Sequence, residues 1–261
     1  MPGFAGTQPF FTTRHGGVSQ GAFGSLNLAS HVPDQPAHIL ENRTRLMATL
    51  NRPLKTLCLV NQIHGTKTLI VGSEDHTEVD GDALVTDQPG VVIGVFTADC
   101  APVLFCDPKA RVIGAAHAGW RGAFGGILES CIQAMENLGA KKAGLSALIG
   151  PCISAESYTV GAEFREHFIH SSTLEGGMAN EAFFRPITRT SFSDGSKIGK
   201  ITFDLPGYIQ DRLVRNGLSP DGIHHDNQCT FKLETDFFSH RRATVRRKSP
   251  CGRQMGGILL V

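Results

Sequence analysis

The sequence predicts an α+β fold built on a mixed sheet. Short apolar runs of strand length crowd residues 56–116, and helical periodicity flanks that block on both sides. Strands and helices do not alternate regularly, as they would in a doubly wound parallel sheet. No G-x-G-x-x-G follows a strand and no G-x-x-x-x-G-K-[ST] occurs, so the usual nucleotide-cofactor loops are excluded.

The elements follow in chain order. Ile39, Leu40, Leu46, Met47 and Leu50 recur at near-helical spacing and predict a helix over 33–51. Strands are predicted at 56–63, 68–71, 83–86, 91–97, 103–106 and 112–116. Beyond Trp120, the residues Ile127, Leu128, Cys131, Ile132, Met135 and Leu138 share one face of a helix that Gly139 stops. A strand at 146–149, helices at 162–170 and 206–216, and a final strand at 257–261 complete the reading. The stretch 171–200, rich in Ser, Thr and Gly, reads as loop.

At 261 residues the chain fits one large domain or two small ones, and is long enough to bury a core without staples. Apolar residues make up 41% and charged residues 19%, as expected of a globular protein. A net charge of +1 gives no reason to expect a nucleic-acid or membrane partner, and no apolar run is long enough to span a bilayer. The start, MPGFAGTQPFF, lacks the basic and apolar regions of a secretory signal. Seven cysteines, odd in number and without a C-x-x-C pair, suggest reduced thiols and hence a cytoplasmic protein.

The chemistry concentrates in NQIHG (61–65), TADCAPV (97–103) and HAGWRG (117–122). Each follows an apolar strand run and ends among turn residues, where sites tend to be built. A type I turn over Asp107-Pro108-Lys109-Ala110 would set Cys100 directly opposite His117, with β-carbons about 5 Å apart. His64, at a neighbouring strand end, would add a third donor. Two imidazoles and one thiolate leave a fourth position open, the pattern of a catalytic zinc site.

NQIHG, ADCAPVLF, HAGWRG, IGPCI, FFSHRR and a terminal GRQMG together resemble the YfiH-like family, also called the laccase-domain or peptidoglycan-editing-factor family. The likeness runs from TTRHGGVSQGAFGSLNLASHV (12–32) to CGRQMGGILL (251–260). It implies a single layered α/β domain over residues 1–261, with mixed sheets and flanking helices. It also implies a metal held by His64, Cys100 and His117, with zinc as the expected ion and copper as the alternative. The implied activity is purine nucleoside phosphorolysis on adenosine, inosine or methylthioadenosine, accompanied by adenosine deamination. A small-molecule nucleoside is then the partner and phosphate the co-substrate. The closing motif departs from the family in reading SHRRA, with His240 and Ala243, and CGR, with Cys251.

Phosphorolysis needs an anion site, and Arg binds phosphate with a planar fork. Arg14, Arg121, Arg241 and Arg253 stand in or beside the motifs. Gln62 is expected to share a strand face with His64 and to hydrogen-bond a base or orient a ligand. Trp120 could stack on a purine or simply pack. Asp80, Asp82 and Asp99 are carboxylates near the motifs, with Asp99 expected to point away from the site. Cys152 is either a nucleophile or a buried thiol. His76-Thr77-Glu78 starts a cytidine-deaminase signature that no P-C-x-x-C completes. Two other enzyme readings remain: a copper phenol oxidase, weakened by the absence of any H-x-H, and a cysteine hydrolase acting on cell-wall peptides. A non-catalytic binding protein is the fourth.

Overall fold

The computed structural model describes residues 3–72, 79–170, 178–190, 197–248 and 250–261. The chain begins with β1 (Thr7–Phe11), α1 (Pro36–Thr49), β2 (Leu57–Cys58), β3 (Thr68–Ile70) and β4 (Ala83–Thr86). It continues through β5 (Val92–Thr97), β6 (Ala101–Asp107), β7 (Val112–Ala118), α2 (Trp120–Gly125) and α3 (Ile127–Asn137). Then follow β8 (Ser146–Ile149), β9 (Thr159–Val160), α4 (Ala162–His170), β10 (Phe184–Thr190) and β11 (Lys197–Phe203). The last elements are α5 (Leu205–Arg215), β12 (Ile223–His225), α6 (His240–Val245) and β13 (Gln254–Leu260).

Two mixed sheets carry the architecture. One has six strands in the order β12-β8-β6-β7-β4-β3, the other four in the order β1-β13-β5-β2. Alternate side chains explain how they stack. Leu104 and Cys106 of β6 join Ile93 and Val95 of β5 and Ile258 of β13 in a core between the two sheets. Val103 and Phe105 point the other way and pack on Ile127, Cys131 and Met135 of α3 and on Tyr208 and Ile209 of α5. On the outer face of the smaller sheet, Val92, Phe96 and Leu259 meet Leu46 and Met47 of α1. The order of layers is therefore helix, sheet, sheet, helices. Both faces of β6 and β7 are covered, which is why these strands read as unbroken apolar runs rather than alternating ones. Among the described residues, no helix is long and apolar enough to cross a membrane.

Four sequence expectations change. The helix after Trp120 is two helices, because Gly126 adopts φ 106° between α2 and α3. The strand expected at 56–63 shrinks to Leu57–Cys58, and the residues after it leave the sheet as a loop in which His64 takes φ 60°. The stretch 171–200 is not simply loop: β10 and β11 form an antiparallel hairpin, and β9 pairs on its edge. Finally, the β6–β7 turn is longer than a four-residue turn over 107–110. The Asp107 carboxylate accepts from the N–H of Lys109 and Ala110, Arg111 takes φ 55°, and pairing resumes at Asp107 with Val112. His117 thus faces Pro102, not Cys100. The shift amounts to two residues, an even number, so His117 keeps the face that the sequence assigned to it.

Gly126 gives the first test. A β-carbon there meets nothing nearer than the Glu129 carboxylate at 3.5 Å, so only the backbone conformation is at stake. Gly126→Ala is expected to lower stability by about 1–2 kcal/mol, the usual cost of a left-handed alanine, measured by urea denaturation.

Candidate metal centre

Three segments meet at one end of the larger sheet. The loop after β2 supplies His64, the residue just before β6 supplies Cys100, and the end of β7 supplies His117. One ligand atom from each lies within 4.8 Å of the other two. Cys100 Sγ stands 3.9 Å from His64 Nε2, and the two imidazoles meet edge to face at 4.7 Å between centroids. His117 is buried, Cys100 partly so, and His64 is exposed, so the cluster opens towards solvent on the His64 side.

Asp82, at the head of β4, holds this arrangement. Its side chain is fully buried. One oxygen accepts from His117 Nδ1 at 2.8 Å and from the His64 N–H at 3.0 Å. The other accepts from the N–H of Gly65 at 2.6 Å and of Ile63 at 3.2 Å. One carboxylate thus fixes the loop that carries His64 and the ring of His117. With Nδ1–H committed to Asp82, Nε2 of His117 is the nitrogen free to bind a cation, the arrangement common for metal-ligating histidines. The residue His117 also donates its backbone N–H to the Asp82 carbonyl at 2.7 Å.

The electrostatics follow from proximity. Burial opposes ionisation of Cys100, but His117 and then His64 outweigh it and pull the thiol down to about 6. Burial likewise opposes charge on His117, yet the Cys100 sulfur and the Asp82 carboxylate lift it to about 9. Each group thus favours the charged form of the other, thiolate beside imidazolium, when no metal is bound. Gly119 leaves room for it, because a β-carbon there would stand 2.9 Å from Cys100 Sγ and 3.2 Å from the His64 ring.

The donors suit a zinc-like ion. Zinc takes sulfur at about 2.3 Å and imidazole nitrogen at about 2.0–2.1 Å in a tetrahedron, and three protein ligands with one open place mark catalytic sites. Here a thiolate and two imidazoles face one point, one imidazole is oriented by a buried carboxylate, and the remaining side is open. Among the described residues this is the one group of three His, Cys, Asp or Glu side chains placed to share a cation.

The surrounding residues divide. Arg241 lies over the Tyr158 ring at 5.3 Å and donates to the Thr159 carbonyl at 2.6 Å. Burial raises the Tyr158 hydroxyl's pKa, and Cys100, Arg241 and Arg121 are among the charges it feels. Arg121 is exposed and covers the Trp120 ring at 4.9 Å, while Trp120 packs on Phe164 at 4.8 Å. Arg253 donates to the carbonyls of Cys251 and Gly252. It is also a charge felt by His31 and His240, whose pKa values are lowered first by burial. His31 and His240 both feel the His64 charge as well, and sequence reasoning did not select either as a site residue. Their signal was position alone: His31 stands next to last in the 12–32 motif and His240 stands in the closing one.

Among the other residues singled out in the sequence, Gln62 is the one whose expected use changes. Gln62 is not free to meet a base. Its amide donates to the Phe96 carbonyl at 2.8 Å and accepts from the Phe96 N–H at 2.7 Å, pinning the loop to β5. Arg14 does not join the triad and lines a separate cavity that contains none of its residues. Cys152 is buried and its thiol pKa is pushed far up by that burial, which disqualifies it as a nucleophile. Asp99, at φ 91°, accepts from the hydroxyls of Thr230 and Ser239 and from the Arg241 N–H, so it ties the start of α6 to the residue before Cys100. Asp80 binds the Asn61 amide at 2.6 Å at the surface. Ala243, where the closing motif departs from the family, packs with Ala98, Phe238 and Cys251. His76-Thr77-Glu78 lies outside the described residues.

Comparison with known proteins places the chain among relatives of similar length. Residues 8–261 match the family described as "Multi-copper polyphenol oxidoreductase laccase". A Deinococcus radiodurans protein named purine nucleoside phosphorylase is 37% identical over 232 residues, covering 89% of this chain and 82% of that protein. The Escherichia coli protein named purine nucleoside phosphorylase YfiH is 36% identical over 231 residues, 88% of this chain and 86% of its own. The crystal structure of a Bacillus licheniformis protein titled hypothetical protein YfiH superposes with a TM-score of 0.85 at 30% identity, covering 98% of this chain and 93% of the other.

Two experiments test the geometry. Asp82→Asn is expected to weaken zinc binding by about 10–100-fold, read by competition with a chromophoric chelator. Cys100 is the one cysteine of seven that is not buried. In metal-free protein iodoacetamide should therefore label it first, with a rate that rises through a midpoint near pH 6 and not near 9. Peptide mass spectrometry reads the order of labelling, and added zinc should suppress it.

Proposed function

The chain belongs to the multi-copper polyphenol oxidoreductase laccase family, and on that premise we propose that it is a metal-dependent purine nucleoside phosphorylase acting on a small-molecule nucleoside. The observation that carries the reading is the triad of His64, Cys100 and His117, with Asp82 behind it and solvent in front. The names of the Deinococcus radiodurans and Escherichia coli relatives supply the reaction. Adenosine, inosine and methylthioadenosine are the candidate substrates, with phosphate as co-substrate and adenosine deamination as a companion activity. Zinc is the ion that fits two imidazoles, one thiolate and an open place, although copper can enter such a site by raw affinity.

Bound there, the metal supplies a Lewis acid at the open coordination place. The protein's part is positional. Asp82 holds the proton on His117 Nδ1 and keeps the His64 loop in place. Arg241, Arg253 and Arg121 are the guanidinium groups we assign to phosphate, because their planar forks suit its oxygens. Trp120 and Tyr158 give aromatic surface against which a purine can lie. We read residues 1–261 as one catalytic domain, and the free thiols suit the reducing conditions of the cytoplasm.

A second reading has an observation of its own. A thiolate lowered to about 6 beside a charged imidazole is also what a cysteine hydrolase needs. One experiment separates the two. Protein of measured metal content is incubated with adenosine and phosphate while adenine, inosine and ribose 1-phosphate are followed together. Ribose 1-phosphate is expected to form, to vanish on chelation, and to return on adding zinc. Cys100→Ala should lower turnover by more than the roughly 10–100-fold that follows loss of a partner behind a metal ligand. No ribose 1-phosphate from zinc-loaded protein would overturn the proposal. A chelator-resistant hydrolysis would favour the cysteine enzyme, and oxidation of phenols by copper-loaded protein alone would point to metal substitution.

A further inference from the structure

We propose that a second cavity, lined by Arg14, Arg242, Arg246 and Lys248, binds a small organic phosphate monoester apart from the metal centre. The cavity measures about 640 Å³, within the usual range for a small-molecule site. Four cations line it and only one carboxylate, that of Glu234. Glu234 is already taken, since both its oxygens accept from the Arg246 guanidinium. In a chain whose net charge is +1, this is a local excess of positive charge.

The two inner arginines make the stronger case. Arg242 is 7% exposed, and its guanidinium donates to the carbonyls of Thr230, Phe231 and Phe237. Arg14 donates to the Gly24 carbonyl at 2.8 Å and the Glu234 backbone carbonyl at 3.3 Å, and lies 4.6 Å over the Phe238 ring. Carbonyl dipoles fix both forks, yet among the described residues neither contacts a carboxylate. Burial pulls Arg14's pKa down, and the Arg242 charge, lining the same cavity, adds to that. A bound anion would give both guanidinium groups a counter-charge in direct contact, which no carboxylate among the described residues supplies. Several converging cations favour a dianion over a monoanion, and guanidinium forks match phosphate oxygens. Phe23, Phe238, Pro33 and Pro250 give the same cavity apolar walls, which suit an organic group attached to the phosphate.

This site stands independently of the metal reading, because none of the three triad residues lines it. It is nevertheless close to them in the fold: Phe238, Ala243 and Cys251, all lining the cavity, pack with Ala98, two residues before Cys100.

The test is calorimetric titration of the full chain with phenyl phosphate, inorganic phosphate and phenol at low salt. Phenyl phosphate is expected to bind more tightly than inorganic phosphate, and phenol not at all. Cys100→Ala should bind it as the unmodified protein does. Lys248→Glu, on the exposed rim, should weaken it by about tenfold or more. Arg14→Gln should do the same, with its folding checked by circular dichroism. Failure of both phosphates to bind overturns the proposal. So does unchanged affinity in Lys248→Glu, or loss of binding in Cys100→Ala, which would return the anion to the metal centre. Inorganic phosphate binding as tightly as phenyl phosphate would overturn the assignment to an organic monoester.

Discussion

The Asp82 carboxylate is the interaction on which the site depends. It has no contact with solvent, and its oxygens accept from one imidazole and three consecutive backbone N–H groups. Burying a charge is costly unless hydrogen bonds answer it. Here the answer comes from the two segments that must be brought together, the His64 loop and the end of β7. The stability of the buried anion and the geometry of the cation site are thus one requirement. His64 could not otherwise hold φ 60° in a short irregular loop, a conformation most non-glycine residues avoid.

The layered architecture explains why the site sits where it does. β6 and β7 are buried on both faces, so their interiors have no free surface for polar chemistry. Polar groups gather where these strands begin and end. Cys100 precedes β6 and His117 is one residue from the end of β7, while Asp82 opens from the head of β4. Trp120, at the start of α2 just after His117, packs with Phe164 and Phe168 on the helical side of the larger sheet. The site belongs to the rim of a rigid sheet, and its loops are short and tied.

Much of this could be read from the sequence, for identifiable reasons. Strand β4, strand β8 and helix α4 fall at the expected boundaries because apolar period and flanking turn residues agree there. The triad was legible from strand-end motifs, although the pairing argument behind it used the wrong turn. The conclusion survived because the true register differs by two residues, which preserves sidedness. The break at Gly126 was hidden, since apolar spacing runs on through both helices. The β10–β11 hairpin was hidden by its polar composition, and two- and three-residue strands such as β9 and β12 carry no periodic signal at all. Gln62 was misplaced because its use depends on a tertiary partner, the Phe96 backbone, that no local pattern announces. The same is true of the four hydrogen bonds to Asp82.

The unequal burial of the three donors has a kinetic corollary. His117 and Cys100 are held by the body of the sheet, whereas the His64 ring stands in water on a loop whose backbone is tied to Asp82, so its side chain alone is free to turn. An ion entering or leaving need not disturb the interior, since the outermost imidazole can swing away and return as a latch. Thermodynamic preference for one metal over another then resides in the inner pair, and the speed of loading and exchange resides in the latch.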